Sequence, residues 1–165
     1  MMYLKLLNLL IKDNKFLDNV EEGTKFTIKT QEIIDKPIEA PIPIIKSTSS
    51  KTWYRNATIA ANLIVHSDYK YTFNNEHFSF TSNRTNKLYM EPHHLIPLSE
   101  QTNFHASLDI EDSIVNLCST CNNYIHYEID KEKVKVLYSL FWFKKGTLDK
   151  YGMQITFNAL IYILE

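Results

Sequence analysis

Apolar positions run along this chain in stretches of different period, separated by polar and proline-rich breaks. Over 2–20, Tyr3, Leu6, Leu7, Leu10, Ile11 and Leu17 lie roughly on one helical stripe, which predicts a helix. Lys25 to Ile34, with Phe26 and Ile28, suits a strand. Pro37, Pro41 and Pro43 then fix φ and remove backbone donors, so Asp35 to Pro43 reads as an extended connector, continued by Ser47-Thr48-Ser49-Ser50. A boundary near 50 divides the chain into an N-terminal helix/strand extension with its linker (1–50) and a main domain (51–165). Asn56 is placed to cap a helix from Ala57 to about His66, with Ile59, Leu63 and His66 on one face. A hairpin follows, with strands near Phe78 to Thr81 and Leu88 to His93 around a turn at Ser82 to Asn86. Leu95 to Leu98 leads into a polar loop over about Glu100 to Ser107, and Asp112 caps a short turn. Asn122 to Tyr127 begins a helix. Another runs from Lys131 to about Phe143, with Val134, Leu137, Tyr138 and Phe141 at helical spacing and Gly146 ending it. Thr156 caps a final helix through Tyr162.

The 165 residues, 44% hydrophobic and 13% aromatic, fit one domain plus an extension with a genuine core. No apolar run reaches membrane-spanning length. Lys5 and Asn8 interrupt the apolar N-terminus, and no small-residue cleavage site follows, so a cytoplasmic protein away from membranes is expected. The net charge of −1 supplies no overall attraction to a polyanion. Any nucleic-acid face must be a local patch, from Lys46, Lys51 and Arg55, from Arg84 and Lys87, or from Lys144, Lys145 and Lys150. Ordinary solvated side chains are the plain alternative for each cluster.

The chemistry concentrates further on. His93-His94 sits in Glu91-Pro92-His93-His94-Leu95-Ile96-Pro97-Leu98-Ser99, followed by Cys118-Ser119-Thr120-Cys121, Asn122 and Ile125-His126. Two adjacent imidazoles allow one to hold a metal while the other takes a proton from water. Asn122 and His126, four apart on a helix, share a face and can grip the same ion. Such parts suit hydrolysis of a phosphodiester. A CxxC pair beside Asn122 and His126 favours metal over redox use. Read blandly, these are a satisfied core histidine, a solvated loop histidine, a helix cap and two small apolar thiols.

These motifs resemble the HNH endonucleases, or ββα-metal nucleases, and most closely the HNH domains at the C-terminal end of restriction-type proteins. The likeness covers roughly Arg55 to Glu165 and includes Arg55-Asn56, His77-x-x-Phe80 and Tyr151-Gly152-Met153-Gln154-Ile155. It implies an α+β fold, with a treble-clef-like ββα-metal core and flanking helices behind the short N-terminal extension. It also implies metal-dependent hydrolysis of double-stranded DNA, of restriction or defence type, leaving 5′-phosphate and 3′-hydroxyl ends. His93, Asn122 and His126 would hold one Mg²⁺ or Mn²⁺, and His94 would be the general base. His77, Cys118 and Cys121 would hold a structural Zn²⁺. Arg84, Lys87, Lys144 and Lys145 are the candidate DNA contacts, and Glu91 is expected to pair with Arg55.

Two positions depart from the family's pattern. Its central Asn falls on Ser113, so the brace for the base-bearing loop rests with Ser113, rests with Asn116, three residues off register, or is absent. The Cys expected six residues before His77 is Tyr71, so the zinc site is three-coordinate, borrows His66 or another group, or is empty. A degenerate HNH domain that binds DNA or a protein partner without cutting is therefore the alternative, and a zinc-knuckle scaffold is a third. Residues 1–50 are read as the tail of a larger recognition domain or as a homodimerisation arm.

Overall fold

The structure, a computed structural model, describes residues 14–27, 37–40, 44–47, 50–74, 76–77, 79–127 and 131–164. It is a mixed α+β fold in which helices surround small antiparallel sheets. Helix α1 covers 14–24, and strands β1 (Ile44–Ser47) and β2 (Ser50–Thr52) form a hairpin where the sequence reads as connector. Next come helix α2 (Ala57–His66), strand β3 (Glu91–His94), strand β4 (Ile114–Leu117) and helices α3 (Ser119–Tyr127), α4 (Lys131–Lys150) and α5 (Phe157–Leu164). Among the described residues, no helix is long and apolar enough to cross a membrane. The expected strand over Lys25 to Ile34 lies largely outside the described residues, as does the first part of the expected N-terminal helix.

Helix α2 begins where the sequence expects it. The Asn56 side chain accepts from the Thr58 N–H at 3.0 Å, satisfying a donor at the helix start. Its buried face is Ala60, Ala61 and Ile64, not the stripe of Ile59, Leu63 and His66, which stay partly covered. Small residues on that face let α1 approach closely. A Cβ on Gly23 would lie 2.9 Å from the Ala61 Cβ, and Val20 joins the core beside Ala60 and Ala61. The segment 37–40 also returns to the main body, with Glu39 bridged to Ala106.

The expected hairpin closes around its turn, where Thr81 bridges Leu88 and the Tyr89 and Ser82 N–H groups donate to the Phe80 and Lys87 carbonyls at 2.9 Å each; Phe78 lies outside the described residues. Further along the same run, strand β3 pairs antiparallel with β4, a partner the sequence does not announce, His93 opposite Val115 and His94 opposite Ile114. The reason is burial: every residue of β4 is buried, and a strand this apolar needs a partner inside the core. The connection between them is held by Gln101, which donates to the carbonyls of Phe104 and Ala106 and accepts from the Leu108 N–H.

Helix α4 buries Val136, Leu137, Leu140, Phe141 and Leu148, while Val134 and Tyr138 of the expected stripe are exposed. It runs through Gly146, whose missing side chain faces open space, and stops at Gly152, with φ +75. There the Met153 N–H reaches the Leu148 carbonyl at 2.8 Å, a left-handed helix end that glycine favours. Thr156 caps α5 as expected, its hydroxyl accepting from the Ala159 N–H at 3.2 Å.

Candidate metal centres and the His94–Asp109 pair

Strand β4 runs directly into α3 through Cys118, whose sulfur accepts from the Cys121 N–H at 3.4 Å. This knuckle brings the two thiols to His77, which approaches from the preceding loop. The His77 Nδ1 lies 3.0 Å from the Cys121 Sγ and 3.7 Å from the Cys118 Sγ. These three residues form a cluster capable of coordinating a metal ion, their donor atoms all within 4.8 Å of one another. An imidazole and two thiols suit zinc. Burial pushes the Cys121 thiol up to about 12, with Cys118 adding to the rise. A thiol this costly to ionise alone gains its thiolate form when a cation is present.

Tyr71 is buried beside the thiols, but its hydroxyl donates to the Tyr89 carbonyl at 3.0 Å. Burial, opposed by a hydrogen bond with Ser79, raises its pKa, so it is poorly suited to serve as an anionic ligand. His66 does not complete the cluster either. Its Nδ1 is 2.7 Å from a Glu111 carboxylate oxygen.

A second group forms between β3 and α3. Asn122 lies in the first turns of α3 and His126 one turn further on. The His93 and His126 rings meet edge to face, centroids 4.9 Å apart. The His93 Nε2 is buried and has no hydrogen-bond partner, whereas His126 is exposed at the rim. Burial drives the His93 pKa down to about 3, and the neighbouring His126 and His94 push the same way, with a smaller contribution from Arg55. A side-chain hydrogen bond with Asn122 opposes them. His93 is therefore a neutral imidazole with a lone pair to offer. The Asn122 Nδ2 donates to a Glu91 carboxylate oxygen at 2.6 Å, so this amide is held between Glu91 and His93. The Arg55 guanidinium sits over the Phe16 ring of α1, 4.1 Å from its centroid.

The side chain of His94 leaves β3 in another direction. Its Nε2 lies 2.8 Å from the Asp109 Oδ1, and both side chains are almost wholly buried. The other Asp109 oxygen accepts from the Asn56 N–H at 2.7 Å. Asp109 escaped the sequence reading because it lies in a loop outside every motif; the only sign was an acid-rich run, Asp109, Glu111 and Asp112, between the two halves of the pattern.

Ser113 is fully buried and directs its hydroxyl at the carbonyls of Leu108 and Ile110, while its own carbonyl accepts from the Leu95 N–H at 3.0 Å. It thus ties the residue after His94 to the loop that carries Asp109. Asn116 does not reach this region. Its Nδ2 donates to the Ser67 hydroxyl at 2.8 Å, and its backbone pairs with Thr72, so its place is at the end of α2.

Three of the four expected DNA-contacting cations are engaged within the protein. Lys144 is buried, its ammonium reaching the Glu111 carbonyl at 3.5 Å. This corrects its expected place on a binding surface: it falls on the apolar face of α4, where burial lowers its pKa against the pull of Asp112 and Glu111. Lys145 pairs with Asp149. Arg84 pairs with Asp18 at 2.9 Å and lies 3.8 Å from Glu21, both on α1. Lys87 is exposed, its ammonium 5.6 Å from the Tyr69 ring centroid.

No family model, curated protein or solved structure matches this chain.

Proposed function

We propose that the protein is a metal-dependent DNA endonuclease of HNH type, with β3, β4 and α3 as a ββα-metal core. The observation that carries this reading is the buried, unpartnered Nε2 of His93, with the His126 ring beside it and Asn122 hydrogen-bonded alongside. An imidazole nitrogen buried without a partner costs about 1–3 kcal/mol, a cost removed when it binds a ligand. Two imidazoles and one amide oxygen fit a divalent cation, and their nitrogen content favours Mn²⁺ over the harder Mg²⁺. Such a cation neutralises charge on the scissile phosphate and the leaving oxygen. Glu91 holds the Asn122 amide through its NH₂, and the amide oxygen is the atom that would be offered to the cation. His94 accepts the proton of the attacking water at Nδ1, because its Nε2–H is kept in place by donating to the Asp109 carboxylate. His77, Cys118 and Cys121 would hold a zinc ion, tying the start of α3, which carries Asn122 and His126, to the loop of His77.

A plasmid-nicking assay with Mn²⁺ and with Mg²⁺ tests the reading. His94→Ala should slow nicking by about 10²–10⁴-fold while leaving DNA affinity unchanged in a mobility-shift assay. Equal nicking by wild type and variant would overturn it. The alternative, a degenerate domain that binds DNA or a protein partner without cleavage, is favoured by one observation: Tyr71 stands where the family has a cysteine, and its hydroxyl is already given to the Tyr89 carbonyl. In its DNA-binding form that alternative predicts a mobility shift with no nicking under either metal.

A further inference from the structure

We infer that Asp109 is the positioning residue for His94: its carboxylate locks the ring as the Nε2–H tautomer, leaving the Nδ1 lone pair to accept a proton, and anchors that arrangement to the start of α2. The source of that proton rests on the nuclease reading above; the tautomer does not.

Both carboxylate oxygens are used. Oδ1 faces the His94 Nε2 at 2.8 Å, and Oδ2 accepts from the Asn56 N–H at 2.7 Å. The Asp109 N–H is itself held by the Ser107 hydroxyl at 3.2 Å. Rotating the carboxylate would break one bond to keep another. The exposure of the pair, 9% for the His94 side chain and 8% for that of Asp109, keeps water from competing. An ionised carboxylate only accepts hydrogen bonds, so the nitrogen facing it must carry the proton. A neutral imidazole with Nε2–H has its lone pair on Nδ1. Asn56 completes the chain of contacts, because its backbone holds Asp109 while its side chain caps α2 through the Thr58 N–H. Together with the Ser113 bonds, this fixes the base from both ends of the loop.

Asp109→Asn separates positioning from bulk. The amide oxygen can still accept from Asn56, but the NH₂ turned toward His94 then demands an acceptor at Nε2, and the ring must move its proton to Nδ1. Two-bond ¹H–¹⁵N NMR of the histidine-labelled full chain reads the tautomer without DNA or metal. Wild-type His94 should carry its proton on Nε2, and Asp109→Asn should shift it to Nδ1. A wild-type ring protonated on Nδ1 would overturn the inference. In the nicking assay, Asp109→Asn should lower turnover by about 10²-fold or more with little change in KM. The His94→Ala/Asp109→Asn double variant should be no slower than His94→Ala alone. If Asp109→Asn slows the His94→Ala protein by the same factor again, the carboxylate does not act through His94 and the inference falls. If wild type does not nick, the nuclease reading fails, and the NMR tautomer alone decides for or against Asp109.

Discussion

His93 is a neutral ring held neutral by its surroundings, and this has a consequence for stability. Its pKa is about 3 in the fold, against 6.5 in an open chain. Between those values the unfolded chain binds a proton that the folded protein refuses. Stability therefore rises with pH across that window, and the contribution is lost progressively as pH falls from 6.5 toward 3. In chelator, urea unfolding should show the wild type weakening over this range and His93→Asn, which has no such proton to bind, weakening less. Parallel curves for the two proteins would contradict the shift. The nearness of His93, Asn122 and His126 was legible in the sequence because helical spacing places the last two on one face and the first lies near the end of a strand. Asp109 was not. Its partner lies fifteen residues away across a loop, where no period operates, and only three-dimensional closure brings the two together.

At the scale of elements, the helices were legible where a local signal acts within one turn. Asn56 and Thr156 cap α2 and α5 by contacts two or three residues long. The end of α4 was misplaced because glycine breaks a helix only when the backbone turns left-handed, and Gly146 does not. Replacing the two glycines should give opposite results in thermal unfolding. Gly146→Ala, in open space mid-helix, should stabilise by about 0.5–1 kcal/mol. Gly152→Ala, forced to φ +75, should destabilise by about 1–2 kcal/mol. The pairing of β3 with β4, beyond the expected hairpin, was hidden for another reason. Apolar patterning marks a strand but does not name its partner, and here the partner is the fully buried β4.

For the whole molecule, two features bear on stability. The first is the His77–Cys118–Cys121 cluster, which joins a loop to the start of α3. Purified protein should carry zinc, and Cys121→Ser should lose most of it. Chelation should lower the wild-type Tm by about 2–4 °C for each kcal/mol of binding energy removed, with no further drop for the variant. The second is the attachment of α1. A chain shortened to 51–165 would uncover Ala60 and Ala61 and lose Val20, whose burial alone is worth about 1.5–3 kcal/mol. Its urea midpoint should fall clearly below that of the full chain; an unchanged midpoint would show that α1 contributes nothing.

The stack of Arg55 on Phe16 reaches further than stability. The stretch of chain richest in histidine and cysteine leans, for the pose of a nearby guanidinium, on an aromatic ring from a helix that bears no recognisable motif. Anyone trimming the protein to 51–165 would keep every histidine and cysteine of that stretch and discard the cushion beneath that cation.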